Sequence, residues 1–72
     1  MSQRDKHLLA ARNNPRNVSL SNFETLVNSF GYIEEGAKHP KAIIGVQTLP
    51  YKRENPMKIC YVLALLEVID SL

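Results

Sequence analysis

His39 lies in the run Gly36-Ala37-Lys38-His39-Pro40-Lys41, with a lysine before it and another two residues after it. Histidine is the side chain whose ordinary pKa lies closest to neutrality, so it can take or give a proton under mild conditions. Two nearby cations add the means to hold a phosphate and to offset charge that builds up on it during a displacement. These residue types suit RNA cleavage through the substrate's own 2′-hydroxyl. That chemistry requires a proton acceptor and charge stabilisation, and the protein need not supply a nucleophile. On residue types alone, an ordinary solvated histidine accounts for the same pattern.

A second candidate is Pro50-Tyr51-Lys52-Arg53-Glu54-Asn55-Pro56. Lys52 and Arg53 suit phosphate, and the start of a following helix adds anion-binding amides. Tyr51 suits stacking on a base. The plainer reading is a charged connecting loop. Other chemistries find little support. His7, His39 and Cys60 lack metal-ligand spacing, and Cys60, inside an apolar helical stretch, reads as a small buried thiol. Three glycines are too few and too scattered for a phosphate loop, and no serine–histidine–acid arrangement stands out. Neither a metal nor a cofactor is expected.

The elements that must position these residues can be read from punctuation and period. Arg4–Arg12 reads as an optional short helix, ended by Asn13-Asn14-Pro15, because proline disfavours helix in the residue before it. Residues 1–17 are therefore expected to be a short-helical or flexible arm, and 18–72 the core of a single domain. A firmer helix is predicted from about Asn22 to Phe30. Ser21 is its expected N-cap, Glu24 completes a capping box, and Phe23, Leu26, Val27 and Phe30 share one face. Gly31 is a ready stop. Tyr32–Ala37 and Lys41–Thr48 read as two or three short antiparallel strands, with a turn at Gly45-Val46 or Val46-Gln47 and a limit at Pro50. The last helix is expected to start near Asn55-Pro56 and to carry Ile59, Val62, Leu63, Leu66 and Ile69 as an apolar stripe. Helix, antiparallel sheet, helix gives a two-layer α+β domain with both helices on one sheet face and the other face open.

Composition bounds what such a domain can be. The chain has 72 residues, 44% of them hydrophobic, and a single cysteine, which cannot form an internal disulfide. No apolar run suits a membrane span, and charges at Arg4, Asp5 and Lys6 interrupt any signal-peptide pattern, so the cytoplasm is the expected compartment. The net charge of +2 is unevenly placed: residues 1–20 carry +3, 21–37 carry −3, 38–58 carry +4 and 59–72 carry −2. Both basic segments can attract nucleic-acid phosphates despite the small total.

Several short motifs in order carry a resemblance. They are Asn14-Pro15-Arg16-Asn17-Val18, a helix ending Phe30-Gly31-Tyr32, a turn ending in His39, then Leu49-Pro50-Tyr51-Lys52-Arg53, and a helix running from Tyr61-Val62 to Leu66-Glu67-Val68-Ile69-Asp70. From about Asn14 to Leu72 the chain resembles the HicA toxin family. The resemblance implies a fold like the double-stranded RNA-binding domain, with a helix, three antiparallel strands and a helix. It implies the toxin of a type II toxin–antitoxin pair, a metal-independent endoribonuclease that cleaves mRNA and is neutralised by a HicB-like antitoxin. The family's catalytic histidine ends a Gly-Ser-His motif, which makes His39 the catalytic residue here. The Gly-Ser falls at Ala37-Lys38, with Gly36 one residue earlier. Lys38, Lys41, Tyr51, Lys52 and Arg53 are the corresponding candidates for RNA contact. The altered motif keeps a non-catalytic RNA-binding or partner-binding module of the same fold as the alternative, and the broadly apolar last helix keeps a pure interaction protein as another.

Overall fold

The computed structural model describes residues 3–36 and 38–72. Helix α1 (Gln3–Asn13) is followed by a 3-10 turn (Pro15–Asn17) and helix α2 (Leu20–Phe30). Strands β1 (Tyr32–Glu34), β2 (Lys41–Ile44) and β3 (Gln47–Pro50) precede helix α3 (Ile59–Asp70). The expected α+β layout, with three antiparallel strands and an extra N-terminal helix, is present.

Helix α2 starts earlier than its capping-box pattern suggests. Ser19, not Ser21, is the N-cap, and its Oγ accepts from the Asn22 amide at 3.1 Å. Val18 just before that cap and Phe23 at the fourth helical position are both buried in one cluster, the pattern of a hydrophobic staple that fixes where the chain enters the helix. Glu24 is thereby freed from a capping role. The predicted stop holds: the Gly31 amide donates to the Val27 carbonyl at 2.7 Å. A side chain at residue 31 is also excluded by space, since a Cβ there would lie 1.9 Å from the Ile43 carbonyl oxygen.

The sheet has the order β1-β2-β3, both pairs antiparallel. The β2–β3 turn falls at Gly45-Val46, where Gly45 has φ +60°, a left-handed conformation that glycine adopts without steric cost. Ile33, Ala42 and Leu49 are partners on one face, and Ala42 and Ile44 are 1% exposed beneath the helices. Helix α2 packs on β1 and β2, α3 packs on β3 and on α2, and α1 lies against α2 and the 3-10 turn. Phe23, Leu26, Val27, Val62, Leu65 and Ile69 fill the space between the helices and the sheet. Arg12 makes a bidentate ion pair with Asp70, tying the end of α1 to the end of α3. Arg4 lies over the Phe30 ring, 5.1 Å from its centre.

The last helix departs from expectation at its start. Asn55 is not its N-cap; α3 begins at Ile59 after Lys58. The intervening segment is committed elsewhere. The Met57 amide donates to the Val18 carbonyl at 2.8 Å, Met57 is buried, and Asn55 Oδ1 accepts from the Leu20 amide at 3.4 Å. The Asn55–Pro56 peptide is cis. The buried face of α3 is Val62, Leu65, Leu66 and Ile69, which leaves Leu63 half exposed. Cys60 sits on that outer side and is exposed, contrary to the expected buried thiol.

Candidate functional site

Strand β2 presents alternate residues to opposite sides, as the two-residue period of a strand requires. Pro40, Ala42 and Ile44 are buried, whereas His39 and Lys41 are exposed and Ile43 is half buried on the outer face. The antiparallel pairing extends past the strand ends. The Tyr51 amide donates to the Pro40 carbonyl at 3.1 Å, one step beyond the Lys41–Pro50 pair. Both residues of that extra step are buried. His39, in the bend just before Pro40, and Lys52, just after Tyr51, flank that step, and both are exposed.

The outer face thus carries successive rows. Tyr32, Ile43 and Thr48 form one, and Glu34, Lys41 and Pro50 the next. Past that end of the sheet come Lys52 and the bend that holds Lys38 and His39. Rows two residues apart are separated by about 6.6 Å, and neighbouring strands by about 4.8 Å. His39, Lys41 and Lys52 therefore lie near one another around the Pro40–Tyr51 bond, at one end of the sheet. Lys38 and Lys41 form no ion pair among the described residues, while Lys52 Nζ lies 3.5 Å from Glu54 Oε1.

Two predicted contact residues serve the protein itself. Tyr51 is 1% exposed, with its ring 4.9 Å from that of Phe23, so neither face is open to a base. Its hydroxyl donates to Glu24 Oε2 at 2.6 Å. Burial, and next the bond to Glu24, push its pKa well above the ordinary tyrosine value, which removes it from proton transfer near neutrality. Arg53 is not a free phosphate ligand. Its Nε donates to Glu24 at 2.9 Å, and its two terminal nitrogens donate to Glu35 at 2.8 and 2.6 Å. The Glu35 carboxyl is held below its ordinary pKa by those Arg53 bonds.

This ion cluster acts on the segment that carries His39. Arg53 grips Glu35 at the start of the β1–β2 connection, and Tyr51 grips Pro40 at its end. Between them the connection folds on itself: a Cβ on Gly36 would lie 2.3 Å from the His39 carbonyl oxygen. Ala37, where the Gly-Ser motif would begin, lies outside the described residues. Sequence reasoning missed Glu24 and Glu35 as partners of Arg53 because both lie far from it along the chain. It also missed Tyr32, a 57% exposed aromatic on the open face, although its alternation with Ile33 in a short strand signalled it.

A shallow groove of about 300 Å³ between α3 and β3 is lined by Gln47, Ala64, Glu67, Val68 and Ser71. Among the described residues, no three His, Cys, Asp or Glu side chains come together as a metal site would need. None of the described helices is long and apolar enough to cross a membrane. No protein-family model, curated protein or solved structure matches the chain.

Proposed function

We propose that this chain is an RNA-cleaving toxin of the HicA type, with His39 as its catalytic residue and Lys38, Lys41 and Lys52 as its phosphate contacts. The observation that carries this reading is the Tyr51–Pro40 hydrogen bond at the end of the sheet, which brings the exposed His39, Lys41 and Lys52 near one another while Pro40 and Ala42 are buried in the core. The order of three strands between two covering helices is compatible with a fold like the double-stranded RNA-binding domain.

In this mechanism a neutral His39 ring nitrogen takes the proton of a 2′-hydroxyl. The 2′-oxygen attacks the adjacent phosphorus, and the bond to the 5′-oxygen breaks. The products are a 2′,3′-cyclic phosphate and a 5′-hydroxyl, the latter protonated by solvent water. The lysines offset charge on the non-bridging oxygens as it spreads in the transition state. A HicB-like antitoxin neutralises the protein by covering His39 and the open face, which excludes mRNA.

The deciding experiment compares wild type with His39→Ala on a short RNA. A general base contributes about 10²- to 10⁴-fold, so the variant is expected to lose at least about two orders of magnitude in rate while retaining its fold. Cleavage by His39→Ala at the original rate would exclude His39. A second reading, a module that binds RNA or a partner without cleaving, is favoured by the commitment of Tyr51 and Arg53 to internal contacts. Under it, wild type binds RNA with a steep salt dependence and leaves it intact.

A further inference from the structure

We infer that the outer sheet face is a binding track for a short single strand of RNA, in which Tyr32 stacks on an unpaired base while the His39 end of the face holds the phosphate. This deepens the nuclease reading and rests on it for the role of His39.

Three observations converge. Tyr32 is 57% exposed, although strands normally bury large aromatics against something. It lies opposite Ile43 on β2, on the same face as Lys41, which is two residues from His39. Lys41 is two positions from Ile43, about 6.6 Å along the strand direction, and the bend that holds His39 lies just beyond it. A strand of about four nucleotides, the low end of site sizes on small sheet domains, covers that span.

The charge layout fits one polarity of contact at each end. Lys38, Lys41 and Lys52 gather at the His39 end, whereas the Tyr32 row holds only Ile43 and Thr48 beside the ring. Glu34 shares the row of Lys41 on β1, so its charge disfavours phosphate on the β1 side of that row and directs phosphate toward Lys41 and the bend. Its carboxylate can accept from an exocyclic amino group of a base instead. Phosphate at one end and a base at the other is what an unstacked strand presents. A duplex keeps its bases stacked on one another and offers no free face to an aromatic side chain.

The test uses the full chain with a labelled 2′-O-methyl oligonucleotide, which lacks the nucleophilic hydroxyl and is not cleaved, read by fluorescence anisotropy. Tyr32→Ala is expected to weaken binding about tenfold, and Tyr32→Phe to restore it to within about twofold, because stacking needs the ring and not the hydroxyl. Neither variant changes the salt dependence, whereas Lys41→Ala lowers its slope by about one. Unaltered affinity in Tyr32→Ala, a duplex of the same sequence binding as tightly as the single strand, or no binding by wild type, as expected if the face receives a protein, each overturns the track. The two readings fail separately. If wild type cleaves ordinary RNA and Tyr32→Ala binds normally, the track falls and the nuclease stands. If Tyr32→Ala loses binding while wild type cleaves nothing, the reverse holds.

Discussion

Replacing Gly36 with alanine tests whether closure of the His39 connection matters. The added Cβ would sit 2.3 Å from the His39 carbonyl oxygen, where real contacts essentially never fall below 3.0 Å and ordinary ones begin at 3.4 Å. The segment must therefore open by about 0.7 Å at least, and by about 1.1 Å to reach an ordinary contact. Neither end yields easily. Glu35 is held by two Arg53 bonds and Pro40 by the Tyr51 amide, so the displacement falls on Lys38 and His39. A misplacement of about 1 Å at a reacting group costs about 10²-fold in rate. The cost in stability is smaller: about 1–3 kcal/mol of overpacking, offset by about 0.4–1 kcal/mol from the reduced freedom of the unfolded chain. A domain of this size has about 4–11 kcal/mol in total, so the variant stays folded with a Tm lower by up to roughly 20 °C. The assay is single-turnover cleavage of a short RNA with protein in excess, paired with a melt followed by circular dichroism. The expected result is a rate lower by about two orders of magnitude with RNA affinity within about threefold. A folded variant that cleaves within twofold of wild type would refute the link between the closed connection and the position of His39.

Arg53→Ala is expected to lower cleavage while leaving the salt slope of RNA binding unchanged, since its guanidinium already serves Glu24 and Glu35; a slope lower by about one in binding titrations would make it a phosphate ligand after all. Tyr51→Phe is expected to cost about 1.5–3 kcal/mol near neutrality in denaturant titrations, the worth of a hydrogen bond to a charged group. Because the folded-state pKa of Tyr51 is raised, its contribution is complete below the unfolded value of about 10 and declines as pH rises beyond it. Melts at rising alkaline pH should therefore fall more steeply for wild type than for Tyr51→Phe, and parallel curves would count against the Tyr51–Glu24 bond. Glu35 and Asp70 have depressed carboxyl pKa values through their arginine partners, so their contributions hold above about pH 4 and are lost as pH falls through the folded values. Glu35→Gln should flatten the acid side of the pH–Tm curve, and an unchanged acid limb would place Arg53's grip elsewhere.

The order of elements was legible because it rests on local signals. Gly31 stops α2, Gly45 turns the hairpin, and apolar residues at helical spacing mark the buried faces of α2 and α3. Starts of helices were harder. Two serines compete to cap α2, and the staple between Val18 and Phe23 decides for Ser19. Asn55-Pro56 has the composition of a helix start, yet Met57 is drawn off to pair with Val18. At the candidate site, His39, Lys38, Lys41 and Lys52 follow from residue type and local alternation, and all four are exposed. Tyr51 and Arg53 did not follow, because their partners Glu24 and Glu35 are 27 and 18 residues away and meet them only when the segment after β3 comes to lie beside α2 and the residue following β1. An aromatic beside two cations looks alike whether its ring is buried or free until that packing is known.

The alternation of β2 has a consequence for how the chain can change over generations. Pro40, Ala42 and Ile44 hold the interior while His39 and Lys41 meet solvent, so foundation and working surface are interleaved in a single short string. Deleting or inserting one residue there exchanges the two sets, sending a lysine inward and a proline out. Point substitutions on the outer side are tolerated by the interior, and conservative swaps inside leave the surface in place. Length, by contrast, is frozen: variants with an altered count between Pro40 and Ile44 should be purged for misfolding before any loss of activity is felt.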